Sequence, residues 1–166
     1  MRIITQTPRL IIREFAPEEQ DTYLQHFTNE EVCLYIPKRS TEERIKIFQT
    51  AIAGYADSKL MGIWGMFSKD TGEFIGSCLL RPHNDNPRIL EIGYSIDKVF
   101  WGQGISTEMA KALVEYAFTY PFIEEVVAVT VIENIASQRV LENAGLKRVE
   151  NIFHDGLELA HFRRSR

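Results

Sequence analysis

Cysteine is scarce in this chain. Cys33 and Cys78 are the only two in 166 residues, and they stand too far apart for a disulfide framework or the paired spacing of a zinc site. A reducing cytoplasm fits best. No apolar run approaches the roughly 20 residues that cross a bilayer. The N-terminus carries Arg2, Arg9, Arg13 and Glu14 where a signal peptide would carry an apolar segment. An excess of positive charge is missing too. With 19 Lys and Arg against 23 Asp and Glu the formal net charge is −4, which argues against a general nucleic-acid binder and suits an amine-bearing substrate. His26, His83, His154 and His161 lack the short spacings of common metal ligands, so no metal is expected. Repeats, low-complexity segments and domain-dividing linkers are likewise absent.

What is present alternates between strand and helix patterns. Residues 9–15 read as a first strand ended by Ala16-Pro17, and Pro17 can open a helix with Tyr23, Leu24 and Phe27 on one face. Ser40 and Glu43 form a capping-box pair ahead of Ile45, Phe48, Ile52 and Tyr55 at helical spacing. Residues 60–67 and 73–80 read as a hairpin turning through 68–72, and 89–96 as the next strand, approached through a turn-rich loop. A helix follows to Pro121, then a buried strand at 126–132, a short helix capped by Asn134 and closed by Gly145, and a last hairpin around Asp155-Gly156. The expected fold class is α/β (α+β), one domain over 1–166, antiparallel in its first half and β-α-β-α in its second.

The segment Glu91 to Thr107 carries the chemistry. An apolar strand runs into Trp101-Gly102-Gln103-Gly104, and Ile105-Ser106-Thr107 then opens an amphipathic helix. Closely spaced glycines before a helix start can present several N–H groups to phosphate oxygens. A tight turn without any ligand explains the same two glycines. The loop lacks the Gly-Lys-Ser/Thr ending of a nucleotide P-loop, and Thr107 stands where a dinucleotide fingerprint has its third glycine.

Taken in order, Thr7-Pro-Arg-Leu-Ile-Ile-Arg13, Glu91-Ile-Gly-Tyr94, Trp101-Gly-Gln-Gly-Ile-Ser-Thr-Glu108 and Asn134 to Leu146 resemble the GCN5-related N-acetyltransferase (GNAT) superfamily, nearest its ribosomal-protein N-acetyltransferase-like branch. The resemblance covers nearly the whole chain. It implies a mixed, mostly antiparallel sheet with helices on both faces, and splayed fourth and fifth strands (89–96 and 126–132) that admit the pantetheine arm of acetyl-CoA. The pyrophosphate would meet the backbone of Gly102, Gln103, Gly104, Ile105, Ser106 and Thr107. The pantetheine amides would pair with the strand edge near Ile96 and with Asn134, and Ser137 would lie near the cofactor sulfur. The implied reaction is direct acetyl transfer to a primary amine of a protein or small molecule, by a monomer or homodimer.

Acetyl transfer needs a neutral amine, a polarised thioester carbonyl and a proton for the departing thiolate. Glu91 is the first candidate for the base, although a solvent-facing glutamate on a half-buried strand reads the same way. The Tyr94 backbone N–H is a candidate for polarising the carbonyl. Many relatives place a tyrosine acid four residues beyond the Ser137 position; this chain has Leu141 there, which leaves Ser137, Tyr94 or water. Cys78, in an apolar strand, reads as a core residue. The segments 27–43 and 81–88 and the last hairpin are expected to bind the acceptor.

Overall fold

The N-terminal arm doubles back on itself. In the computed structural model, which describes residues 1–166, β1 (Ile3–Gln6) and β2 (Leu10–Arg13) pair antiparallel across a turn. The Thr7 hydroxyl accepts from the Arg9 and Leu10 amides at 3.3 and 2.9 Å. The single strand expected at 9–15 is therefore shorter, and a second strand precedes it. Ile3–Gln6 has a mixed burial pattern and gave no clear alternation; its strand state comes from pairing with β2.

Pro17–Glu19 makes a short 3₁₀ turn into α1 (Gln20–His26). In α2 (Thr41–Gly54) Ser40 Oγ accepts from the Glu43 amide at 3.1 Å, and the Glu43 carboxylate accepts from the Ser40 amide at 3.3 Å. That is the capping box the sequence implied. Ser40→Ala should cost about 1 kcal/mol of unfolding free energy in urea titration, and an unchanged midpoint would show that the pair is idle. Both helices serve an aromatic cluster of Phe15, Tyr23, Phe48 and Phe67, with Leu24, Phe27 and Phe74 against it. Tyr23 and Phe15 meet edge to face at 5.7 Å.

β3 (Gly62–Ser68) and β4 (Phe74–His83) follow, with Gly72 at φ +74° in their turn. β4 and β5 (Asn86–Ile96) are joined by Asn84 and Asp85 alone, at φ 49° and 57°. Two consecutive positive φ values match a two-residue hairpin turn, which Asn and Asp tolerate. The broad loop expected at 81–88 is thus mostly strand. α3 (Ile105–Phe118), β6 (Glu125–Val131), α4 (Ile135–Asn143), β7 (Lys147–His154) and β8 (Leu157–Ser165) complete the chain.

The eight strands form one mixed sheet in the order β1-β2-β3-β4-β5-β6-β8-β7. β6 runs parallel to β5, and their register covers only Ile89–Glu91 against Glu125–Val127. No pairing joins the two strands beyond Glu91 and Val127, in keeping with the splay expected of 89–96 and 126–132. The chain divides into two compact units, residues 1–79 with 94–105 and residues 80–93 with 106–166, and β4 and β5 each run through both. No helix is long and apolar enough to cross a membrane.

Candidate active site

In the first unit β5 ends at Ile96 and the chain enters the glycine loop. Asp97 caps the 3₁₀ turn Lys98–Phe100 by accepting from the Val99 amide at 3.3 Å. The Trp101 indole N–H donates to the Ile96 carbonyl at 2.9 Å, so this half-exposed ring ties the loop to the strand end. Gln103 donates through its side chain to the Val99 carbonyl at 3.0 Å. Gly102 and Gly104 lie at φ +73° and +76°, a region open to glycine and strained for most other residues. A Cβ on Gly102 would meet nothing within 4 Å, and one on Gly104 only the Arg9 guanidinium at 3.6 Å. Arg9, from the turn before β2, donates to the Gln103 carbonyl at 2.8 Å. The loop is exposed from Trp101 to Gly104, whereas the Ile105 side chain is buried and leaves only its backbone for a ligand. An open, positive-φ loop beside an arginine and before a helix start fits a pyrophosphate.

The strand end is braced from behind. Ser95 Oγ lies 2.8 Å from His26 Nε2, and both residues are buried. The His26 ring sits between Phe27 and Phe74, with Nδ1 buried and unpartnered. Burial lowers its pKa to about 4; Asp97 offsets this in part and Arg44 adds to it. At neutral pH this imidazole is neutral.

In the second unit Glu91 is closely held. Its Oε1 lies 2.6 Å from Arg81 Nη2 and its Oε2 3.1 Å from His83 Nδ1. The His83 ring stacks on that of His161 at 5.8 Å and 23°. Next to this group, Arg163 donates to Glu125 through Nε at 2.9 Å and Nη2 at 2.5 Å. Burial, followed by His83 and Arg163, lowers the His161 pKa. Asn134 caps α4 by accepting from the Ser137 amide at 3.1 Å, and Leu141 is fully buried. Cys78 is buried with its thiol pushed far up by that burial, as befits a core residue. No group of His, Cys, Asp and Glu side chains is arranged to hold a metal ion.

The structure thus groups Gly102, Gln103 and Gly104 with Arg9, and Asn134 with Ser137. Tyr94 stands half-buried beside Ser95, and Ser106 and Thr107 are half-buried at the start of α3. Sequence reasoning missed Arg9 as part of the loop, and missed His26, Arg81, His83 and His161 beside site residues. Nothing in their spacing announces these contacts. Asn84-Asp85 carried a hairpin signal that would have returned β4 directly onto β5.

Comparison with known proteins agrees with this arrangement. The acetyltransferase (GNAT) domain family matches residues 9–147. YoaA of Bacillus subtilis (strain 168), an uncharacterized N-acetyltransferase, is 32% identical over 149 residues, covering 87% of this chain and 83% of its own. The fold is shared with the ribosomal L7/L12 α-N-protein acetyltransferase RimL in complex with coenzyme A, at a TM-score of 0.82 and 19% identity over 99% of this chain and 98% of that one. It is shared also with AAC(6')-Ib in complex with paromomycin and acetyl-CoA, at a TM-score of 0.78 and 14% identity over 95% and 93% of the two chains. With most of its length matched by the family, this chain belongs to the GNAT acetyltransferases.

Proposed function

We propose that this protein moves the acetyl group of acetyl-CoA directly to a primary amine, with the N-terminal α-amine of a protein as the favoured acceptor, and that residues 1–166 act as one acyl-CoA-binding domain. The observation that carries the reading is the exposed Gly102–Gly104 loop at positive φ, braced by Arg9 and leading into α3. Its amides, with those of Ile105, Ser106 and Thr107, would hold the pyrophosphate. The backbone of β5 at Tyr94 and Ile96 would pair with the pantetheine amides, as a strand edge pairs with a peptide. Asn134 would add a polar contact to the same arm. The bound thioester supplies an activated acetyl carbon and a thiol leaving group of pKa about 8.5.

Around that carbon the chain has three tasks. The Tyr94 N–H would stabilise the developing negative charge on the carbonyl oxygen. Ser137 or water would return a proton to the thiolate, since the buried Leu141 cannot. Glu91 anchors the base function of the site. An α-amine, with a reference pKa about 8, is partly neutral at pH 7, whereas a lysine near 10.4 is almost wholly charged. The first acceptor asks less of the base, and the resemblance to the ribosomal-protein branch points the same way.

Calorimetry with coenzyme A, followed by thiol release from acetyl-CoA across peptides with free Ser, Ala and Met N-termini, spermidine and an aminoglycoside, tests this reading. Saturable coenzyme A binding with turnover on a peptide is expected. Turnover on the small amines alone would move the acceptor to that class. Tight binding without transfer to any of them would leave an acyl-CoA-binding domain without catalysis.

A further inference from the structure

Glu91 cannot serve unaided as a free carboxylate. Both of its oxygens are engaged, one by Arg81 at 2.6 Å and one by His83 at 3.1 Å, and its side chain is only 12% exposed. A carboxylate accepts hydrogen bonds, so the His83 nitrogen facing it, Nδ1, carries the proton. Nε2 then keeps its lone pair. No hydrogen bond occupies Nε2, and the His83 side chain is 13% exposed. The far side of the ring is closed by His161, whose Nε2 is buried without a partner. We infer that His83 is the proton acceptor for the amine, with Glu91 a positioning residue that fixes its tautomer and His161 a neutral wall against its ring.

The electrostatic surroundings support this assignment. His83 is faced by Glu91 from β5, Arg81 from its own strand β4, and His161 with Arg163 from β8; Glu125 of β6 pairs with Arg163. Glu91 and Glu125 would stabilise an imidazolium, and the two arginines oppose it. His161, with its pKa lowered by burial and by its neighbours, does not compete for the proton at neutral pH.

The inference rests on the acetyl-transfer reading given above. As the amine nitrogen forms its bond to the acetyl carbon, its N–H proton passes to His83 Nε2. The carbon–sulfur bond breaks, the sulfur leaves with the electron pair, and the proton held on His83 returns through water to the thiolate. The products are the N-acetyl compound and coenzyme A thiol, and no oxidant or metal is consumed.

The test uses the whole chain, with coenzyme A for binding and the best acceptor of the peptide and amine panel for turnover. His83→Gln should keep coenzyme A affinity within about twofold and lower kcat/KM about 100-fold, with the acidic limb of the pH–rate profile lost. Glu91→Gln should keep the limb but displace it. Nitrogen-15 NMR of the imidazoles gives a readout independent of turnover: His83 should be protonated on Nδ1 at pH 7.5 in the wild type and mixed in Glu91→Gln. Wild-type rates and an unchanged limb in His83→Gln would overturn the inference while leaving acetyl transfer intact. Protonation on Nε2 in the wild type would overturn it equally. A wild type that binds coenzyme A but acetylates nothing would remove the transfer reading and this inference together.

Discussion

Replacing Gly104 with valine is expected to weaken coenzyme A binding by about 100-fold, the equivalent of roughly 2.7 kcal/mol. Gly104 sits at φ +76°, where a β-branched residue carries a steric cost of order 1–3 kcal/mol. The backbone would escape that cost by rotating, which turns the amides from Gln103 to Ile105 away from a shared focus. The Arg9 guanidinium, 3.6 Å from the Cβ position, is at an ordinary contact distance, so the cost lies in the backbone and not in lost space. The loop is exposed, so the fold should survive, and circular dichroism with urea unfolding would show this. Calorimetry with coenzyme A reads the loss. Gly104→Ala should fall between the two, because it adds strain without branching. Affinity within threefold of wild type in a folded Gly104→Val protein would sink the phosphate-loop assignment.

The contrast between this loop and the acid–base group shows what the sequence could convey. Gly102 and Gly104 must be glycine for a reason local to their own φ angles, so the pattern is written in the chain. The same holds for Ser40 with Glu43, for Asn134 with Ser137, and for the turn at Asp155-Gly156, because each motif closes within four residues. β1 was not legible, since Ile3–Gln6 becomes a strand through its pairing with β2. His83 and Glu91 are eight residues apart, and His161 is 78 residues beyond His83; only the packing of β4, β5 and β8 brings them together. Sequence reasoning offered Glu91 as a candidate base or a solvent-facing glutamate, with no partner for it. The structure surrounds it instead with Arg81 and His83. Arg9 behaves the same way: it stands in a recognisable motif at the turn before β2, yet its hydrogen bond reaches Gln103, 94 residues later.

Unfolding free energy is expected to fall by about 2 kcal/mol between pH 7 and pH 5, with His26 the main source. The folded protein holds this imidazole near pKa 4 against the ordinary 6.5, because it is buried between Phe27 and Phe74 with one nitrogen unpartnered. The unfolded chain therefore binds the proton first as pH drops. Stability from this group is complete above pH 6.5, declines below it, and is exhausted near pH 4, where the total reaches about 3 kcal/mol. His161, also lowered, contributes in the same direction. Glu19 is a separate case: burial raises its pKa, but the hydrogen bonds from Arg13 and Ala16 outweigh this, so its contribution is lost only below about 4.5. The interval from pH 6.5 to 5 therefore belongs to the histidines. Urea titrations at pH 7, 6 and 5 on wild type and His26→Gln resolve the source. Glutamine removes the titration and can still bond Ser95, so the variant should be less stable at pH 7 and much flatter with pH. A slope equal to wild type would clear His26 of the effect. Because the folded imidazole stays neutral over this interval, its bond to Ser95 is kept, and the coenzyme A affinity of the folded protein should not change through His26 between pH 7 and pH 5 in either protein.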